Sequence, residues 1–170
     1  MQNYFLLIVT SVLPGACWVW YFANHDRNRE PASMLVRVFV MGMLAVIPAA
    51  LLERPLRFAL IRPDAYSLKT ITALVVIGLI EEGVKFLAAY VTVFNSPHFD
   101  EVEDGIVYAI TAALGFAVVE NALYTLAFGT NVVLVRAVIT SVAHASFAGI
   151  FGLYLGLYRM GRVATNDLLR

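Results

Sequence analysis

The chain has 170 residues, of which 61% are hydrophobic and 14% charged, with a mean hydropathy of +0.79. A soluble domain is nearer half apolar and a quarter charged, so the composition points to a polytopic integral membrane protein in contact with the lipid bilayer. Lys and Arg number 12, as do Asp and Glu; with no basic stripe, nucleic acid is excluded as a partner class.

Five spans are predicted, at residues 4–23, 34–52, 70–94, 106–128 and 132–158. All are expected to be helical, because a lone spanning segment must satisfy its own backbone hydrogen bonds. The fold class is therefore all-α, a single membrane domain over residues 1–170. Span one lacks the basic start of a signal peptide, and its apolar run continues through Trp18, Val19, Trp20 and Phe22, so it reads as retained. Trp18, Trp20 and Tyr21 are expected to form an interfacial aromatic belt. Cys17 stands alone, which excludes a disulfide framework and a cysteine-based metal knuckle.

Pro14 and Pro48 are expected to kink spans one and two. Residues 24–33 form a short polar connection. Residues 53–69 carry Arg54, Arg57, Arg62 and Lys69 around Pro55 and Pro63, a composition suited to an interfacial helix. Residues 95–105 are acidic, and Asp104 is placed where a carboxylate favours a helix N-terminus. The turn at 129–131 is tight, making spans four and five antiparallel neighbours. Lys and Arg divide almost evenly between the two sides; the first loop and the basic C-terminal tail favour an outside N-terminus.

The informative feature lies in span three. Glu81 and Glu82 sit in the middle of an apolar run, with Lys85 one turn on. A carboxylate at such depth costs roughly 2.5–3.5 kcal/mol on insertion scales, so an intramembrane ionisable residue is a functional-site hypothesis by default. Spans four and five repeat the pattern. Glu120 falls just past the middle of one and His144 at the middle of the other. Charges without a task gather at span ends, where long side chains snorkel; Arg37 and Arg136 are expected to behave so, with Asn121 and Arg136 supporting the site from its edge. The catalytic core is therefore expected to be built from the last three spans.

Helical spacing sharpens the picture. Lys85 is four residues after Glu81 and three after Glu82, both favourable pairings. Adjacent residues differ by about 100° around a helix. One glutamate is then neutralised by Lys85, and the other faces Glu120 and His144. On span five, Arg136, Thr140, His144 and Ala148 form one stripe, and Ala145, Gly149, Gly152 and Gly156 a second that permits close helix approach.

Such a set supports two chemistries. A desolvated glutamate acts as general base on water while His144 serves as acid or oxyanion donor. Alternatively Glu81, Glu120 and His144 hold a divalent metal such as zinc. Both predict hydrolysis within the membrane, and whether a cofactor is used stays open. HExxH, GxSxG, CxxC and GxGxxG are all missing.

At these residues the chain resembles the PrsW family of glutamic-type intramembrane proteases, grouped with the type II CAAX prenyl endopeptidases. Glu81-Glu82-Gly83-Val84-Lys85 fits the family's EExxK, and Phe116 through Glu120, followed by Asn121, fits FxxxE in a stretch beginning at Asp104-Gly105-Ile106. His144, with Arg136 eight residues before it, is the third motif. Together they cover roughly residues 80–150. The resemblance implies an intramembrane peptidase in which Glu81 and Glu82 activate water, Glu120 shares or tunes the proton, and His144 stabilises the oxyanion. Lys85, Asn121, Asp104 and Arg136 support them. It implies a multi-pass protein of the bacterial cytoplasmic membrane acting on a membrane-anchored protein, an anti-sigma factor being the family's known kind of substrate. CAAX enzymes carry histidine and arginine where Glu120 and Lys85 stand, so an unmodified protein is the expected substrate.

Two other classes use the same residues. A proton-coupled transporter would also place carboxylates and histidine at the midplane, though with repeated halves and broken helices. A non-catalytic scaffold is the other, since the same broad group includes a scaffold subunit of γ-secretase. The oligomeric state is open.

Overall fold

The computed structural model describes residues 4–25, 28–57, 60, 67–129 and 135–161. Five helices follow in chain order: α1 (Tyr4–His25), α2 (Ala32–Arg57), α3 (Leu68–Val93), α4 (Val102–Phe128) and α5 (Ser141–Arg159). A π-helical turn, Arg136–Thr140, leads into α5 without a break. The all-α architecture is as expected. Among the described residues α2, α4 and the continuous Arg136–Arg159 helix are long and apolar enough to cross a bilayer. α3 matches them in length but carries Glu81, Glu82 and Lys85 in its middle.

α4 is the central helix, buried over most of its length and touched by each of the others. Its partners turn Leu44, Leu51, Leu79, Val91 and Ile139 outward. Lipid tails are as apolar as leucine, so nothing drives these side chains inward, and helix contact rests on close packing of small residues. Gly42 on α2 illustrates this: a Cβ added there would lie 1.9 Å from the Ala112 carbonyl oxygen of α4. Two turns nearer the start of α4, a Cβ on Gly152 would lie 2.4 Å from the Gly105 oxygen, and the Ala145, Gly149, Gly152, Gly156 stripe does face α4. Gly42→Ala is therefore expected to force α2 and α4 apart and destabilise the protein by about 1–3 kcal/mol, the usual range for overpacking. Gly78→Ala, with nothing within 4 Å of the added carbon, is the matched control. Thermal unfolding in detergent should fall only for the first.

Both ends of the bundle are pinned by local chemistry. Ser67 caps α3, its Oγ accepting from Thr70 N–H at 3.2 Å. At α4, Asp104 Oδ2 accepts from the N–H groups of Asp100 and Glu101, forming a capping box with Glu101. Tyr108 donates to Glu30, and Asn28 donates to Glu101, tying the α1–α2 connection to the start of α4.

Several expectations need correction. α2 does not end at 52. It continues through Pro55 to Arg57, because Glu53 extends the inward stripe of Val38, Gly42, Ala45 and Ala49 and is buried against Arg57 at 2.6 Å. Of the rest of the proposed interfacial helix, residues 67–69 belong to the start of α3, while 58, 59 and 61–66 lie outside the described residues, as do residues 130 and 131 of the tight turn. Pro14 and Pro48 stand inside α1 and α2, whose helices run on past them. Trp18 is half-buried, packing against Ile110, Leu114 and Ala145 with its ring 5.9 Å from that of Tyr21, while Trp20 and Tyr21 face outward.

Candidate active site

Three helices bring their ionisable groups together. Glu81, Glu120 and His144 each offer one oxygen or nitrogen, and these atoms lie within 4.8 Å of one another. Glu81 lies near the midpoint of α3. Glu120 lies about 12 Å from the Phe128 end of α4 and about 27 Å from its start, at 1.5 Å per residue. His144 is likewise about 12 Å from Arg136. The cluster is thus displaced from mid-height toward the α4–α5 turn, because the acidic capping box extends α4 upstream beyond the predicted span.

Lys85 is the hub between α3 and α5. Its ammonium is buried, donates to Glu82 Oε1 at 2.6 Å and to His144 Nδ1 at 2.7 Å, and lies 3.8 Å from Glu81 Oε2. It also stands 4.8 Å over the ring of Phe116. The division of labour predicted from spacing is present: Glu82 takes the lysine, and Glu81 faces Glu120 and His144. A lysine ammonium has no acceptor, so Nδ1 of His144 must accept and the ring proton resides on Nε2. That Nε2–H donates to Glu120 Oε2 at 3.0 Å.

Arg136 departs from expectation. Rather than snorkelling, it turns inward: Nε donates to Asn121 Oδ1 at 3.0 Å, and the guanidinium stacks over Tyr124 at 3.7 Å. Nη2 lies 3.0 Å from Glu120 Oε2, an ion pair whose N–H bonds are not aimed at the oxygen. Asn121 Nδ2 donates in turn to Ser141 Oγ at 3.3 Å. Ser141 was not singled out by the sequence, which put Thr140 on this face. The π turn, with Ser141 N–H bonded to Arg136 O, takes up one extra residue and moves Ser141 inward. Glu53 is a second omission. It is buried and close enough to Glu81 for their charges to interact, and the inward stripe of α2 was the signal for it. Asp104 lies elsewhere, about 24 Å along α4 from Glu120, serving as the helix cap described above.

The donor set fits a divalent cation: one imidazole and two carboxylates from three helices, leaving a coordination position open. Arg136, Asn121 and Lys85 orient the ligands from behind, as groups around metal sites do.

Comparison with known proteins covers the same residues. Residues 30–169 match the family described as PrsW family intramembrane metalloprotease. Protease PrsW of Geobacillus kaustophilus (strain HTA426) is 36% identical over 153 residues, 89% of this chain and 66% of the relative. Protease PrsW of Clostridioides difficile (strain 630) is 37% identical over 161 residues, 91% of this chain and 66% of the relative. Protease PrsW of Bacillus subtilis (strain 168) is 32% identical over 156 residues, 91% and 70% respectively. The chain spans about two thirds of the length of these relatives. No solved structure matches it. The match takes in every side chain of the cluster, and so this chain belongs to the PrsW family.

Proposed function

We propose that this chain is an intramembrane protease that hydrolyses a peptide bond of a membrane-anchored protein, with Glu81 activating the attacking water. The observation that carries this reading is the convergence of Glu81, Glu120 and His144, from three separate helices, to within 4.8 Å. The relatives' shared name, Protease PrsW, supports it.

Each side chain has a task in this reaction. Among the described residues Glu81 makes no hydrogen bond and its Lys85 contact is long, at 3.8 Å, so its carboxylate is available to take a proton from water. Lys85 holds His144 Nδ1 as an acceptor, which keeps a proton on Nε2, facing the convergence point. That N–H rests on Glu120 Oε2 and would shift from it to the oxyanion that develops as water adds to the carbonyl, leaving Arg136 to hold Glu120. Glu120 holds the imidazole from its other side, and Arg136 holds Glu120. Collapse of the adduct expels the amine, which takes the proton held by Glu81. Glu81, Glu120 and His144 would hold a divalent metal, the cation taking the place of the Nε2 proton. Its Lewis acidity would polarise the scissile carbonyl.

Reconstitution of the purified chain with a panel of single-span reporter proteins tests the proposal. Mass spectrometry should find cleavage within the span. Metal analysis belongs beside it: cleavage by the metal-free chain supports Glu81 as the base, whereas about one equivalent of zinc, with activity lost to a chelator and restored by the ion, makes Glu81, Glu120 and His144 its ligands. Proton flux without cleavage products would overturn the reading in favour of a transporter.

A further inference from the structure

The two adjacent glutamates face different spaces. Glu82 Oε1 is taken by Lys85, but Oε2 is buried and has no hydrogen-bond partner. Glu82 lines a slit too narrow for water, bounded by Phe86, Ala109, Ala148 and Phe151. Past Phe86 and Phe151, whose rings lie 6.4 Å apart, the slit meets a groove of about 540 Å³ between α3 and α5. Tyr90, Ile150, Tyr154 and Tyr158 line its length. Its α5 lining from Ile150 to Tyr158 spans about 12 Å at 1.5 Å per residue, room for about three to four residues of extended chain before the slit.

A second groove makes a useful contrast. Met43, Leu44, Ile47, Leu51, Val119 and Leu123 line a space of about 550 Å³ between α2 and α4. Every side chain lining it is apolar, which suits lipid tails. The α3–α5 groove instead carries phenol hydroxyls and ends at an unsatisfied carboxylate oxygen. In hydrocarbon an acceptor without a donor is costly, and an acyl chain has no donor to offer. A helix offers none either, because its N–H groups are internally bonded. An extended peptide does.

We propose that the α3–α5 groove docks the apolar membrane segment of a protein substrate in extended form, with Glu82 Oε2 receiving one of its backbone N–H groups. Glu82 is then the residue that positions the substrate backbone, and Glu81 the one that acts on water. The segment enters by parting the Phe86 and Phe151 rings, a side-chain movement that leaves the helices in place. This rests on the protease reading above for its partner, but docking and cleavage are separable.

The test uses the full chain carrying Glu81→Gln in phosphatidylcholine–phosphatidylglycerol vesicles. The probe is a Leu/Ala single-span peptide with a central Gly-Ser-Gly-Ser stretch and a benzophenone beside it. Photocrosslinks are expected at Phe86, Ile150, Phe151 or Tyr154. Ile150→Trp, which adds bulk at a position already 56% exposed, should reduce them about tenfold with unfolding unchanged. Replacing the peptide's central amides by esters, one at a time, should weaken binding about tenfold at a single position. Glu82→Gln keeps an oxygen for Lys85 but turns an NH₂ into the slit, so the same ester should then cost nothing. Crosslinks on the α2–α4 groove, ester effects independent of Glu82, or a photoactive phospholipid that labels the α3–α5 groove undisplaced by peptide would each overturn the proposal. Specific crosslinks without wild-type cleavage would leave docking standing and remove the protease reading; cleavage with crosslinks elsewhere would do the reverse.

Discussion

Glu81→Gln is expected to reduce cleavage of a membrane reporter at least 100-fold while the helices still assemble. The magnitude follows from the typical contribution of a positioned general base, about 10²–10⁴. Assembly should survive because, among the described residues, Glu81 makes no hydrogen bond and its lysine contact is long, at 3.8 Å. The amide keeps the side chain's shape and removes only its basicity. Cleavage rate and thermal unfolding measured on one preparation separate the two effects. Near-parental cleavage would move the base to Glu82 or Glu120.

Lys85→Met is expected to produce the largest loss of stability, about 3–5 kcal/mol, the range for removing one partner of a buried ion pair. The lysine is fully buried and holds Glu82 and His144 at hydrogen-bond distance. Without it, Glu82 Oε1 joins Oε2 as an acceptor with no donor, and the link from α3 to α5 is lost. Lys85→Met combined with Glu82→Gln should recover a large part of the deficit, because the orphaned charge is then gone. Denaturation in mixed micelles reads this coupling. An unchanged midpoint for the single variant would show that the pair contributes nothing to the fold.

The helices were legible because each apolar block is longer than a soluble core needs, and the site was legible because Glu81, Glu82, Glu120 and His144 are placed where lipid penalises charge. Helical spacing put both glutamates within reach of Lys85; the structure gives the short contact to Glu82. What escaped was whatever depended on neighbours. Arg136 read as an interfacial arginine because it stands near a helix start; only the approach of α4 supplies Glu120, Asn121 and Tyr124 to draw it inward. Glu53 read as loop because Pro55 follows it closely, yet Arg57 holds the last turn together. Trp18 read as a belt residue by type; its height opposite Leu114 also makes it a packing residue. Ser141 depended on a backbone irregularity that no spacing rule anticipates.

That irregularity has a consequence for Glu120. Arg136 and His144, on one helix, meet the same oxygen, Oε2, each at 3.0 Å. In an unbroken α-helix, positions eight apart diverge by about 80° at 100° per residue, so the two ends of the stripe would point in different directions. With one residue absorbed by the wider turn, the pair behaves as if seven apart and falls within about 20° of a shared direction. A single carboxylate is thereby gripped from above and below by one rod, and the count of residues between the two grips is fixed as tightly as their chemistry.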